Sequence, residues 1–197
     1  MTDRILRPKS AIALFVAASL AIAGAACSGF TGVPASLDTF EDSGVVYPLN
    51  GAPPGSPSAL YIFSGELVPS DANFTFDVAF DVDSAGRIVV LPEPAVASGL
   101  APIHTVSLQA VAGTYDALDR APRSGYRADT ALVAAVNQVI MVQSQDENAC
   151  SVSLSGTTLY AKLVITAVDP VTHGMSIKYA TNPNCGFVSF APGLPKD

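Results

Sequence analysis

The strict alternation of apolar and polar residues in NFTFDVAFDVD, residues 73–83, restricts the fold of this chain more than any other feature. A period of two places successive side chains on opposite faces of an extended strand, whereas a helix would scatter the same apolar residues around its circumference. The stretch therefore predicts a strand with one buried and one solvated face. The buried face would carry Phe74, Phe76, Val78, Phe80 and Val82, and the solvated face would carry Asn73, Thr75, Asp77, Ala79 and Asp81.

The residues after this strand predict a hairpin. DSAGR suits a tight turn because Gly86 can take a positive φ, and IVVLP would return as the second strand. The residues from Asp81 also imitate the start of a calcium-binding loop, which needs an oxygen at its fifth position and a glutamate at its twelfth. Ala85 and Pro92 stand at those two positions. We therefore interpret the segment as a hairpin.

Further short stretches with a β pattern follow, separated by turn-forming residues. Short strands at such spacing are typical of antiparallel sandwiches and barrels. We therefore predict an all-β fold, either a single antiparallel β-sandwich or a partly closed β-barrel, with one disulfide. The other predicted strands are 45–47, Leu60–Val68, His104–Ala112, Val139–Gln145, Val152–Leu154, Leu159–Val168, Met175–Ala180 and Phe187–Phe190.

The segment DTALVAAVNQVIMVQSQ, residues 129–145, allows two interpretations. Asp129 could cap a helix, and the alanines favour one. The β-branched run VIMV favours a strand instead, and Asn137 could occupy a left-handed turn between two strands. We favour the two strands.

The N-terminal residues predict export. The first nine residues carry three basic side chains, and an uncharged apolar stretch follows from Ala11 to Ala26. A basic start, a short apolar core and small residues at its end are typical of a secretory signal peptide. The apolar stretch is shorter than the roughly 20 residues that a membrane-spanning helix needs. We therefore expect residues 1–26 to be a signal peptide and the mature chain not to cross a membrane.

The end of this stretch, GAAC at residues 24–27, resembles the lipobox of bacterial lipoproteins. The resemblance implies that Cys27 becomes the first residue and carries the lipid, and that Ser28 directs the protein to the outer membrane, facing the periplasm or the outside. Cleavage after Ala25 by an ordinary signal peptidase is the alternative. The chain has three cysteines, and an odd cysteine in an exported protein needs an explanation, which lipidation supplies.

Cys150 and Cys185 are expected to form the disulfide. Both lie among turn-forming residues, in DENACS and NPNCGF, and an exported protein folds in an oxidising compartment. Two cysteines without clustered histidines do not predict a metal site. The predicted organisation is a signal peptide (1–26), a flexible tether (27–44), a β domain (45–191) that could divide into two lobes near 113–128, and a tail (192–197).

The charge of the chain excludes some partners. Without residues 1–26, which hold three basic residues and one acid, it has seven Lys and Arg against 16 Asp and Glu, a net charge of about −9. Such an acidic protein repels phosphate backbones, so we expect no nucleic-acid partner. The usual nucleophile, zinc-protease and phosphate-loop motifs are missing. We therefore expect no enzyme, no cofactor and no metal.

Five residues are candidates for ligand binding. Arg120, Arg123 and Arg127 lie in the loop 116–129, and guanidinium groups suit carboxylate or phosphate, although interleaved aspartates could neutralise them. The histidines, His104 and His173, are expected at the surface, and could hold haem or a metal only if the fold brought them together.

One local resemblance concerns haem. LYAKLVITAVDP followed by SIKYATNP resembles the Tyr-Ala-Lys strand pair of HmuY-like haem-binding lipoproteins, which implies haem as a ligand. Neither histidine matches the ligand positions of that family, and Tyr160, Lys162 and Tyr179 are also explained by packing within a strand pair. The leading hypothesis is a lipid-anchored, non-catalytic module that binds an envelope protein or has a structural role. The alternative is a carrier for haem or another small anionic or apolar molecule.

Overall fold

The computed structural model describes residues 34–70, 75–97, 104–151, 153 and 156–195. These residues form strands, one short helix, α1 (Glu93–Val96), and one 3-10 turn (Tyr115–Ala117). The strands are β1 (Phe40–Val46), β2 (Ala59–Tyr61), β3 (Glu66–Val68), β4 (Val78–Val82), β5 (Ile88–Pro92), β6 (Thr105–Val111), β7 (Arg127–Ala128), β8 (Leu132–Ala134), β9 (Val139–Gln145), β10 (Thr158–Val168) and β11 (Met175–Asn182).

The strands form two antiparallel sheets. The six-stranded sheet has the order β1-β11-β10-β9-β6-β7, and the five-stranded sheet has the order β3-β2-β4-β5-β8. The prediction of an all-β fold is confirmed. Of the two predicted architectures, a sandwich and a partly closed barrel, the described strands form a sandwich of two open sheets. None of the helices in the described ranges is long and apolar enough to cross a membrane.

The main core lies between the two sheets. Fully buried side chains such as Leu60 and Phe80 of the five-stranded sheet belong to the same apolar cluster as Leu108, Leu163 and Tyr179 of the six-stranded sheet. Area removed from water stabilises a fold by roughly 25 cal/mol per Å², so the burial of this layer between the sheets contributes to the stability of the domain.

The six-stranded sheet is also buried on its outer face. Its strands β9, β10 and β11 contribute one side of a second apolar cluster, and the segments around the 3-10 turn and after β11 contribute the other. This second layer explains why β9 and β10 are apolar almost throughout rather than alternating. The cluster includes Tyr115, Met141, Tyr160, Val164 and Phe190.

The predicted hairpin is confirmed. β4 pairs with β5 in antiparallel register, and Gly86 has a φ of 76° in the turn between them. The Asp83 carboxylate accepts hydrogen bonds from the backbone N–H groups of Ala85 and Arg87, both at 2.9 Å, and forms an ion pair with the Arg87 side chain at 2.7 Å. These contacts within the turn hold the pKa of Asp83 below its usual range, with the Arg87 side chain as the largest cause.

The prediction of a solvated face on this strand is wrong. Asp77 and Ala79 are fully buried, and the strand begins at Val78. The outer face of the five-stranded sheet is covered, because Ala79 packs with Ala59 and Phe76 in a third apolar cluster that residues such as Leu49 complete. Residues 71–74 lie outside the described residues.

Residues 129–145 form two strands, as favoured. β8 and β9 are separated by a turn in which Asn137 has a φ of 66°, and its backbone N–H donates to the Ile165 carbonyl at 2.8 Å. An asparagine tolerates this left-handed conformation better than most residues.

Three predicted boundaries differ from the structure. The predicted strand Leu60–Val68 is a tight hairpin of β2 and β3, and Phe187–Phe190 contributes only a bridge from Ser189 to Arg120. The expected tether at 27–44 ends earlier, because Phe40–Gly44 already belong to β1. This strand is mostly exposed and is held by backbone pairing with β11, which a hydrophobic pattern does not reveal.

The ends of the predicted domain are also corrected. Gly193 of the expected tail is bridged to Thr39, beside β1. The predicted strand Val152–Leu154, except for Ser153, lies outside the described residues, as do the signal peptide and Cys27.

The predicted disulfide is confirmed. Cys150 and Cys185 are bonded, with their Cα atoms 5.8 Å apart. The bond joins the turn after β9 to the turn after β11, and both cysteines belong to the main core.

Candidate functional site

The sandwich is open on the side where β7 and β8 lie, because each is the last strand of its sheet. A groove of about 540 Å³ lies there, within the range of about 300–1,000 Å³ typical of small-molecule pockets. Its lining comes from β6, β7, β8 and the turn that joins the last two, and includes Leu108, Gln109, Ala110, Arg127, Leu132 and Val133.

Arg127 is the charged residue of this lining. It pairs with Leu108 across the β6–β7 ladder, and residues directly opposite each other in an antiparallel pair project from the same face. Since Leu108 is in the core between the sheets, Arg127 projects from the inner face at the open side. Its guanidinium is suited to a carboxylate or phosphate that enters the groove.

The strand pairing beside the groove is short. Within the described residues, β6 pairs with β7 only at Ser107 and Leu108, although β6 continues to Val111. The Gln109 Oε1 atom is buried and has no hydrogen bond in the same part of the structure. The groove therefore combines apolar side chains, one guanidinium and backbone groups beyond the end of a ladder.

The three candidate arginines do not form one site. Arg127 lines the groove, whereas Arg120 is bridged through its backbone to Ser189. Arg123 is exposed in the segment between them. Of the three arginines in this loop, Arg127 therefore remains the candidate for binding an anion in the groove.

The two histidines lie at opposite ends of the six-stranded sheet. His104 precedes β6, at the end where Gln145 pairs with Thr158, the first residue of β10. His173 lies beyond the other end of β10, in an exposed turn with a φ of 55°. Eleven residues of β10 separate these ends, a length on the order of 30 Å, so the histidines cannot share a haem or a metal.

The residues of the haem-protein resemblance also separate. Tyr160 and Lys162 belong to the outer face of the six-stranded sheet, whereas Tyr179 is in the core between the sheets. The buried Lys162 Nζ donates to the carbonyls of Tyr115 at 3.0 Å and Leu118 at 2.9 Å. These side chains therefore act in packing on two different faces.

The expectation of a surface position is wrong for His104, which is only 5% exposed. It belongs to a buried group of Asp77, Glu93, His104 and Asp146 that we call the histidine cluster. The register of β6 and β9 continues from Thr105–Gln145 to bring His104 opposite Asp146. The register of β4 and β5 likewise brings Asp77 opposite Glu93, whose N–H donates to the Asp77 carbonyl at 2.8 Å.

His104 bridges two carboxylates. Its Nδ1 lies 3.4 Å from Asp77 Oδ1, and its Nε2 lies 3.2 Å from Asp146 Oδ2. The Tyr61 ring is stacked on the imidazole, with ring centroids 6.3 Å apart and an angle of 8° between the planes. The backbone N–H of His104 lies 3.5 Å from Glu93 Oε2.

The other oxygens of the two aspartates hold backbone groups. Asp77 Oδ2 accepts from the Ile62 N–H at 2.7 Å. Asp146 Oδ1 accepts from the N–H groups of Asn148 and Ala149 at 3.0 and 2.8 Å. The cluster therefore ties the β2–β3 turn and the turn that leads to Cys150 to the ends of both sheets.

The carboxylates control the protonation of His104. Burial by itself would lower the pKa of the imidazole, but the contact with Asp77 and the charges of Asp77, Asp146 and Glu93 outweigh it, so the pKa is raised above 6.5. Burial and the charges of Asp146 and Asp77 raise the pKa of Tyr61. Within the described residues, no group of three or more His, Cys, Asp or Glu is arranged to hold a metal ion.

One feature of the amino-acid sequence is compatible with the burial of this cluster. Ala79 stands on the face of the alternating strand that was expected to be solvated, and an alanine there is compatible with a covered face. Asp77, on that same face, is the carboxylate nearest His104 Nδ1.

The chain matches no protein-family model, no curated protein and no solved structure.

Proposed function

We propose that this protein is an exported bacterial lipoprotein whose β domain binds a partner in the cell envelope and catalyses no reaction. The groove at the open side of the sandwich is the observation that carries the proposal. Its occupant is an extended segment of a partner protein that carries a carboxylate.

The structure of the groove supports an extended segment. β7 and β8 are edge strands, and edge strands offer backbone groups to which another chain can pair. β6 extends past its short ladder with β7, and Val133 of β8 is 50% exposed beside it. Arg127 supplies the complementary charge for a carboxylate.

A small anionic molecule is the second candidate occupant. The volume of the groove and the single guanidinium favour it, and it would make the protein a carrier. Haem bound between the two histidines is not part of this candidate, since those residues lie at opposite ends of the sheet.

The environment of the histidines supports a non-catalytic role. His104 is enclosed by Asp77, Asp146 and Tyr61, and it is only 5% exposed, so a substrate has no access to it. His173, unlike His104, lies in an exposed turn. General acid–base catalysis needs a titrating group within hydrogen-bond reach of the substrate.

Lipid anchoring rests on the sequence. GAAC at residues 24–27 resembles the lipobox, with Gly24 where that class usually has a larger aliphatic residue. The disulfide between Cys150 and Cys185 accounts for the other two cysteines of the chain. Cys27 is then the attachment point of the lipid.

We expect a photo-crosslinking amino acid at Val133 to capture a discrete envelope protein in cells. The same amino acid at Val171, which is 84% exposed in the turn between β10 and β11, is the control and should give no such adduct. Arg127→Glu should reduce the yield at Val133 by about tenfold or more, because a charged hydrogen bond is worth about 1.5–3 kcal/mol. Arg123→Glu should leave the yield unchanged.

Equal adducts at both positions, or a yield that does not respond to Arg127→Glu, would contradict the groove as the binding site. A small mass retained in native mass spectrometry, and lost in Arg127→Glu, would instead support the carrier.

We expect cells fed an alkyne-modified fatty acid to label the wild-type protein and not Cys27→Ala, because the cysteine thiol is the group that carries the lipid. The mature wild-type chain should begin at Cys27 when its N-terminus is analysed by mass spectrometry. An unlabelled mature chain that begins at Ala26 would show that ordinary signal-peptidase cleavage is the correct interpretation.

A further inference from the structure

The histidine cluster joins the two sheets at one end of the sandwich. Asp77 immediately precedes β4 of the five-stranded sheet, and Asp146 immediately follows β9 of the six-stranded sheet. The imidazole of His104 lies between these carboxylates, one nitrogen at each, at 3.4 and 3.2 Å. His104 is thus the bridge between two strand ends that belong to different sheets.

The charges at this end are unequal. Asp77, Glu93 and Asp146 are all at most 1% exposed, and His104 is the basic side chain in contact with two of them. The titratable groups that face the imidazole are Asp77 from the start of β4, Glu93 from α1, Asp146 from the end of β9 and Tyr61 from β2. Removal of the charge on the imidazolium would leave the carboxylates of Asp77 and Asp146 buried with a neutral ring between them, which is costly in a water-excluded site.

We propose that His104 is a proton-dependent latch, in which the imidazolium holds Asp77 of one sheet to Asp146 of the other and deprotonation loosens that end of the sandwich. The loosened parts are those that the two aspartates hold: the Ile62 N–H of the β2–β3 turn and the turn from Asp146 to Cys150. The groove lies elsewhere, at β7 and β8, so this inference does not depend on the proposed function.

The direction of the pH dependence follows from linkage. The folded state raises the pKa of His104 above 6.5, so it binds more protons than the unfolded state as the pH rises past 6.5. The stabilisation by the latch is therefore complete below pH 6.5 and is lost as the pH rises through the folded-state pKa. Each pH unit between the two values corresponds to a tenfold change in the unfolding equilibrium constant.

The titration of His104 tests the proposal directly. The chain has two histidines, so His173→Gln leaves the latch intact and a single imidazole signal in the NMR spectrum. We expect this signal to titrate with a midpoint above 6.5 and both ring nitrogens to be protonated below it. A midpoint at or below 6.5, or a neutral ring throughout, would overturn the proposal.

Hydrogen exchange tests the loosening, again in the His173→Gln protein. Protection factors of the Ile62 and Ala149 amides should fall at least tenfold across the midpoint, because each donates to an aspartate of the latch. The Asn137 amide, which donates to the Ile165 carbonyl at the other end of β9, is the control and should stay constant. Equal changes at all three amides, or no change at any, would show that His104 is not a latch.

His104→Gln provides the matched variant. If this variant folds, its unfolding equilibrium constant should not show the change that the wild-type protein shows between pH 6.5 and the His104 midpoint measured by NMR. A pH dependence identical to that of the wild-type protein would refute the proposal. If the variant fails to fold, the titration and exchange measurements in the His173→Gln protein still decide the question.

Discussion

Replacing both Cys150 and Cys185 by alanine should lower the free energy of unfolding by about 4 kcal/mol. The bond closes a loop with a sequence separation of 35 residues, and cross-linking residues this far apart removes conformational freedom from the unfolded chain. Because a domain is typically stable by only 5–15 kcal/mol, the variant should lose a large part of its stability. Denaturant unfolding of the two proteins under non-reducing conditions measures the difference.

Two controls separate the contribution of the disulfide bond to stability from that of the packing around the cysteines. Intact mass under non-reducing conditions should be about two daltons below that of the reduced chain. The stability of the wild-type protein in reductant should lie between those of the oxidised protein and the alanine variant, because it loses the bond but keeps both buried sulfur atoms. Both cysteines are in the main core, so the single variants report the loss of packing together with an unpaired thiol. A loss below about 1 kcal/mol in the double variant would show that the bond contributes little to the stability of this fold.

The local features of this fold could be predicted from the sequence. The turn at Gly86 and the left-handed Asn137 both depend on residues within a few positions, and both are as predicted. The cysteine pairing followed from the number of cysteines and the expected compartment. In each case the information is contained in a short segment or in a count, and no knowledge of the strand order is needed.

The burial of polar residues could not be predicted in this way. Asp77 is buried by its contacts with His104 and with the Ile62 N–H, and Ala79 is buried by residues that cover the outer face of its sheet. Both sets of contacts depend on how the strands are arranged in space. Similarly, β1 has an exposed, polar pattern and exists because its backbone pairs with β11. The histidine cluster combines both problems, because the ends of four strands must be placed before His104 and its carboxylates come together.

Lys162→Met should lower the free energy of unfolding by about 2–4 kcal/mol, although methionine has a similar length and keeps most of the packing. The buried ammonium donates to the carbonyls of Tyr115 and Leu118 at 3.0 and 2.9 Å, and a hydrogen bond to a charged group contributes about 1.5–3 kcal/mol. The expected loss is smaller than twice that value because the Tyr115 carbonyl also accepts from the Leu118 N–H at 3.4 Å. Burial lowers the pKa of Lys162, as expected for an amine held mainly by backbone carbonyls. Urea unfolding monitored by circular dichroism measures the effect.

Lys178→Met is the matched control, because the two ammonium groups lie over the same ring. Lys162 Nζ is 4.1 Å and Lys178 Nζ is 4.5 Å from the Tyr115 centroid. Lys178, however, is 36% exposed and pairs with Glu41 and Asp116 at 3.1 and 3.0 Å, and exposed ion pairs contribute up to about 1 kcal/mol. A large loss in Lys162→Met alone would mean that the buried carbonyls decide the stability of this layer. Equal losses in the two variants would mean that the cation–ring contact does, and the segment around Tyr115 would then be held to the sheet by its ring rather than by its backbone.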